Sequence, residues 1–198
     1  FSPALALGVA SLAEMVDAKL VDAPAAGQLI ERLNRAACPG VWFTDAARLQ
    51  AADPPLNTVL SAAQYVLVLE AHAVEARGGQ PWLRARIDGF LSADSVPVER
   101  ETRRGRRQLD ARALVLELAA GGPADASIAR EAGLCGPMVP VRVRVELEPE
   151  GTLRPREMVA ALTGEPGFPH LAVRAALLAG QRSPLQLVTR REPPRRGP

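Results

Sequence analysis

Asp110 and Arg112 stand two residues apart in QLDARALVLEL. On a regular strand that spacing places a carboxylate and a guanidinium on one face, a face continued by Leu114 and Leu116. Such a pair can work as an active-site carboxylate beside an anion-binding arginine. It is equally the usual way for two half-buried charges to persist at the margin of a core. Just before it, four of the five residues 103–107 are arginines (RRGRR). Guanidinium groups at that density grip phosphate or carboxylate oxygens through forked hydrogen bonds, while on an edge strand the same charges keep other chains from pairing. Arg100, Arg103, Arg104, Arg106 and Arg107, extended by Arg142 and Arg144 if their strand lies alongside, would make a surface that follows a phosphate backbone.

The other reactive side chains form no such constellation. Cys38 and Cys135 are far apart without a C-x-x-C neighbour, and the only histidines are His72 and His170. No metal or iron–sulfur site is expected from this chain alone. Ser11, Thr102 and Thr152 have no recognisable base partner. Aromatic residues make up 4% of the chain, few for a platform that stacks single-stranded bases, and Trp82 and Phe90 read as core. Contact with an RNA backbone, or with an acidic protein face, therefore fits better than base readout.

The elements that must position these residues follow from periodicity. Val96 and Val98 at period two, a polar run around Gly105, and Leu114, Leu116 and Leu118 alternating with Val115 and Glu117 predict a β-hairpin with a basic tip. Residues 141–148, VRVRVELE, predict a strand with valines on one face and charges on the other. The apolar run QYVLVLEA, 64–71, predicts a buried strand. A helix over 80–93 gathers Trp82, Leu83, Ile87, Phe90 and Leu91 on one stripe, and another begins near Pro155 with Thr152 as its candidate cap. Gly121-Gly122-Pro123 opens a Gly/Ala-rich insertion that reads as a loop. Residues 170–180 are ambiguous: their alanines suit a helix, whereas the order of elements needs a strand. Ahead of these, 15–21 and 41–44 predict strands flanking a helix that has Asp22 and Pro24 at its start and Leu29, Ile30, Leu33 and Ala37 along one face.

Composition sets the bounds. At 198 residues, 47% apolar and 23% charged, the chain is globular in type, and a formal net charge of +2 leaves any attraction for nucleic acid to local clustering. No apolar run approaches the ~18 residues of a spanning helix, so no membrane contact is expected and the cytoplasm is the default. The start at Phe1 fits an internal piece of a longer protein. From residue 64 the order strand, helix, hairpin, strand, helix, closed by a strand near Val173, is that of a ferredoxin-like unit. The predicted fold class is α+β, with tandem ferredoxin-like units and an antiparallel sheet carrying helices on one face. The first unit (1–55) is incomplete, the second covers 56–180 with a loop insertion near 120–138, and residues 181–198 form a disordered tail.

Five segments carry a family likeness: FSPALALGVAS, LIERLNRAACPGV, SAAQYVLVL, FLSADSVPVERETRRGRRQLDARALVLEL and GTLRPREMVAAL. In order and wording they resemble the radical-SAM-associated family of unknown function, whose members occur beside, or fused to the C-terminus of, a radical SAM protein with a B12-binding-like domain. The likeness is most specific in D-x-x-x-V-x-R-x-T-[KR]-x-G, in the following D-[IA]-R, and in T-L-R-P. The family's N-terminal segment, with a Ser-His-Leu-Asp-like motif and a Gly-Phe-Asn-Pro-His-like turn, has no counterpart here. The resemblance implies a non-catalytic accessory domain of a radical SAM system, with the hairpin as its contact to RNA or to that partner. Radical SAM chemistry needs a C-x-x-x-C-x-x-C run, which this chain lacks. The iron–sulfur cluster and S-adenosylmethionine are thus expected on the partner, encoded alongside or fused, and no cofactor on this chain. The alternative is an RNA-modifying enzyme similar to the tandem ferredoxin-like pseudouridine synthases, which carry a catalytic Asp near an Arg. Asp110 and Arg112 would fill those roles.

Overall fold

The computed structural model describes residues 1–102, 105–148 and 152–189. Arg103, Arg104 and the tail from residue 190 lie outside the described residues. In chain order the elements are β1 (Val9–Ser11), α1 (Ala26–Ala36), α2 (Leu56–Val59), β2 (Ala62–Glu70), α3 (Ala71–Glu75), α4 (Gly79–Ser92), β3 (Pro97–Thr102) and β4 (Gly105–Asp110). They continue with α5 (Ala111–Leu114), β5 (Val115–Ala120), α6 (Pro123–Glu131), β6 (Met138–Glu146), α7 (Pro155–Thr163), β7 (His170–Leu178) and α8 (Pro184–Thr189).

The protein is α+β, built on a five-stranded sheet of order β1-β7-β2-β6-β5 with a separate two-stranded sheet of β3 and β4. β2 runs antiparallel to both β6 and β7, and β5 antiparallel to β6. Taken with α4 and α7, the strands β2, β5, β6 and β7 have the βαββαβ order of a ferredoxin-like unit. The ambiguous run at 170–178 is a strand. Its alanines are tolerated because two neighbours, β2 and β1, fix its backbone.

The core lies between the sheet and α4 with α7. Leu67, Leu69, Val141 and Val143 meet Leu83, Phe90, Met158 and Leu162 there, each nearly or wholly removed from water. Burial of one such side chain stabilises by about 1.5–3 kcal/mol. β2 is buried on both faces, because Val66 and Val68 pack against Ala129 and Ile128 of α6 on the far side. Helices therefore cover both faces, not one, and the expected insertion loop is a helix. Gly121 makes the corner: its N–H donates to the Pro140 carbonyl at 2.8 Å, and a Cβ on it would lie only 2.8 Å from the Pro140 Cβ and carbonyl oxygen. Pro123 then occupies the first turn, and the Asp125 carboxylate accepts the Gly122 N–H at 2.8 Å.

Residues 1–55 do not form a folded unit of their own. None is buried, and the expected strands at 15–21 and 41–44 are absent. Period-two alternation yields a strand only where a sheet edge offers hydrogen bonds, and β1 alone finds one, parallel to β7. Residue 43 is held to α1 instead, through the Asn34 side-chain amide, which donates to the Phe43 carbonyl at 2.9 Å and accepts the Phe43 N–H at 2.7 Å. α1 starts after Ala25 without the Asp22 cap. Thr152 likewise does not cap α7; its hydroxyl donates to the Glu146 carbonyl, and Glu157 reaches back to the Arg154 N–H at 2.8 Å.

Candidate functional site

The hairpin is shorter than the apolar alternation suggests. β3 and β4 pair from Pro97 with Asp110 to Thr102 with Gly105, and the chain then leaves the strand. Asp110 ends it: one carboxylate oxygen accepts the N–H groups of both Val96 and Arg112 at 2.9 Å, clamping the root and capping α5. Leu114 belongs to α5, and Leu116 bulges out of β5, 50% exposed, between buried Val115 and Leu118.

Asp110 and Arg112 accordingly do not share a strand face. The guanidinium of Arg112 turns to the carbonyls of Leu91 and Val115, each at 3.3 Å. The hydrogen bond from the Val96 N–H, helped by Ser95 and by the Arg112 and Ala113 N–H groups, holds the Asp110 carboxyl below its ordinary pKa, against the opposing effect of burial. A carboxylate so saturated with donors is a weak base and a good structural cap.

Arg100 leaves the set of candidate surface contacts. It shares a face with buried Val98, is itself 7% exposed, and forms a forked pair with the equally buried Glu157, with Nε at 2.8 Å. Its other nitrogen also donates to the Thr152 carbonyl at 2.7 Å. The pair fastens β3 to the first turn of α7. Arg107 lies directly opposite Arg100 in the ladder and is exposed. The outer face carries Glu99, Glu101, Arg106 and Gln108, all exposed, with Arg106 3.7 Å from Glu99. Arg103 and Arg104 lie outside the described residues.

Arg142 and Arg144 are not part of this surface. β6 pairs with β2 and β5, not with the hairpin, and both side chains emerge on the α6 face of the main sheet. Arg142 lies 3.4 Å from Glu117 and 3.7 Å from Asp125; Arg144 lies 3.8 Å from Glu117 and donates to Gln181 at 2.8 Å. Two carboxylates already balance the two cations.

The most extensive polar site was not among the sequence candidates. Arg174 in β7 is 1% exposed and donates to the Tyr65 hydroxyl at 3.1 Å, to both Glu14 carboxylate oxygens at 2.9 and 3.1 Å, and to the Pro3 carbonyl at 2.9 Å. Ser2 and Ser11 donate to the same carboxylate. This network straps residues 2–14 over the sheet edge. Its signal in the sequence is the single charge inside the apolar run HLAVRAALL.

Among the described residues no three His, Cys, Asp or Glu side chains converge as a metal site. No helix there is long and apolar enough to cross a membrane. What the fold and hairpin define is an α+β domain with a ferredoxin-like sheet and a charged, firmly rooted two-stranded arm. The chain belongs to a bacterial family described as "Uncharacterized protein conserved in bacteria (DUF2344)", whose model matches residues 1–155. No curated protein and no solved structure matches the chain.

Proposed function

We propose that this chain is a non-catalytic accessory domain of a radical SAM system that docks on the radical SAM polypeptide through the tip and outer face of the β3–β4 hairpin. The observation that carries this reading is the mixed sign of the exposed hairpin charges: Glu99 and Glu101 stand beside Arg106 on one face. A surface that follows phosphates gains from uniform positive charge and loses from interleaved carboxylates, whereas protein interfaces use such patterns to fix partner and register. The radical SAM association rests on the likeness in the hairpin and in T-L-R-P. With two cysteines and no cluster run, the chain would rely on that partner for its iron–sulfur cluster and S-adenosylmethionine.

The test compares the wild type with a variant in which Arg103, Arg104, Arg106 and Arg107 are all alanine. Loss of co-purification with the radical SAM polypeptide, with unchanged folding, supports docking. Tight binding of a generic structured RNA, with a salt slope that falls by about one unit per lost phosphate contact, would replace the protein partner by RNA. A wild type that binds neither, or binds either regardless of the four substitutions, removes the hairpin from the function.

A further inference from the structure

We propose that the outer edge of β7, with Arg174 in it, is a strand-addition site for an extended polypeptide segment bearing a carboxylate, and that residues 2–14 fill this site as a built-in substitute. The body presents the cation. Arg174 lies beside Tyr65 in the β7–β2 ladder, its guanidinium carbon 5.6 Å from the centre of that ring and its Nε donating to the hydroxyl at 3.1 Å. Among the described residues, its two terminal nitrogens find acceptors only in the leading segment. Nη1 donates to Glu14 and to the Pro3 carbonyl, and Nη2 to the Ala4 carbonyl 3.4 Å away.

The contacts of this segment are those a separate polypeptide makes when it adds a strand to a sheet: a backbone ladder along an edge and a side chain held at one specific point. Val9–Ser11 run parallel to Ala172–Arg174, the Leu12 N–H donates to the Arg174 carbonyl at 3.0 Å, and Val9 and Met15 pack partly on the core. The fit is incomplete in both respects. β1 covers three of the nine residues of β7, and no other described strand lies along that edge. Both Glu14 oxygens meet the same nitrogen, at 2.9 and 3.1 Å, so the forked pairing of a carboxylate with two guanidinium nitrogens is not made. The Glu14 side chain is 42% exposed, and no residue of the segment is buried. An acidic segment that pairs along more of the edge and engages both nitrogens therefore gains more there than residues 2–14 do.

The test uses the full chain and, as probe, a fluorescent peptide of residues 1–17, read by anisotropy. Glu14→Ala in the chain should tighten peptide binding about tenfold over the wild type, because the built-in competitor no longer holds the cation. Ser2→Ala with Ser11→Ala removes two donors to the Glu14 carboxylate yet leaves Arg174 its partner, and should tighten binding by a smaller factor. Should Glu14→Ala fail to fold, this double variant carries the comparison. The peptide with Glu14→Gln should bind about tenfold more weakly, and a chain with Arg174→Met should not distinguish the two peptides. No binding by any folded chain overturns the proposal, as does equal binding by the wild type and both variants, or binding indifferent to Glu14→Gln in the peptide. Sodium acetate that removes the amide protection of residues 9–12, where the peptide does not, overturns it likewise and assigns the site to a small carboxylate. β3 and β4 form a separate sheet, so the four-alanine hairpin variant should bind the peptide like the wild type, and the docking reading and this one fail separately.

Discussion

Arg100 and Asp110 have the residue types and the spacing of chemistry, and both direct their polar atoms to the protein itself. The clue for Arg100 is its register: period two places it on the face of Val98, and a guanidinium carried inward by an apolar neighbour needs a buried carboxylate. Composition alone cannot separate it from the exposed arginines that follow. Arg100→Ala should cost about 3–5 kcal/mol in urea unfolding, because it leaves Glu157 charged and buried without its partner. Replacing both, Arg100→Met with Glu157→Leu, should recover most of that loss. The remainder is the α7 cap that Glu157 also makes, worth about 1 kcal/mol. For Asp110 the measurement is pH. Its folded pKa is depressed, so its ionised form contributes stability that is complete above the unfolded value and disappears as pH falls through the folded one. Asp110→Asn should therefore lower the urea midpoint by a constant amount above about pH 5, and the gap to wild type should close at lower pH. A gap that widens on acidification would contradict the cap assignment.

At the scale of elements, legibility followed the presence of a sheet neighbour. VRVRVELE and QYVLVLEA are strands in fact as in pattern, because each lies inside a ladder that their alternation or continuous apolarity fits. The alternation at 15–21 is as regular but has no edge to join, so the pattern is present and the strand is not. The hairpin is shorter at its second arm than the alternation predicts for a related reason: Leu114, Leu116 and Leu118 alternate across α5, which Asp110 caps, and across a bulge in β5. The helix α6 was hidden because Gly121-Gly122-Pro123 signals punctuation equally before a loop and before a capped helix. Its two glycines should behave differently. A Cβ at Gly121 would lie 2.8 Å from the Pro140 carbonyl, whereas one at Gly122 meets nothing within 4 Å. Gly121→Ala should destabilise by about 1–3 kcal/mol through overpacking against backbone, and Gly122→Ala, which puts alanine at the N-cap of α6, should cost less, about 0.5–1 kcal/mol. Thermal melts of the two variants decide between a corner set by close approach and one set by flexibility.

At the scale of the whole molecule, the leading segment is joined to the body by one buried cation, Arg174, and by the partial packing of Val9 and Met15 on the core. The strand order β7-β2-β6-β5 and the core on both its faces are complete from Leu56 onward, since β1 is an added edge and no residue before 56 is buried. A chain beginning at residue 56 should therefore fold. It should nevertheless lose stability out of proportion to the apolar area removed, because Arg174 would remain in the sheet without Glu14 and the Pro3 carbonyl, keeping only the Tyr65 hydroxyl. Stranding a buried charge costs about 3–5 kcal/mol. Arg174→Met in the shortened chain should return most of that amount, since an apolar side chain of similar length needs no partner. In the full chain the same substitution should instead destabilise, because it leaves Glu14 without its cation and frees residues 2–14 from the edge of β7. The two effects of one substitution thus have opposite signs, a coupling that a double-mutant cycle in urea measures directly. Equal effects in both backgrounds would mean that the leading segment is held by packing and that Arg174 is incidental.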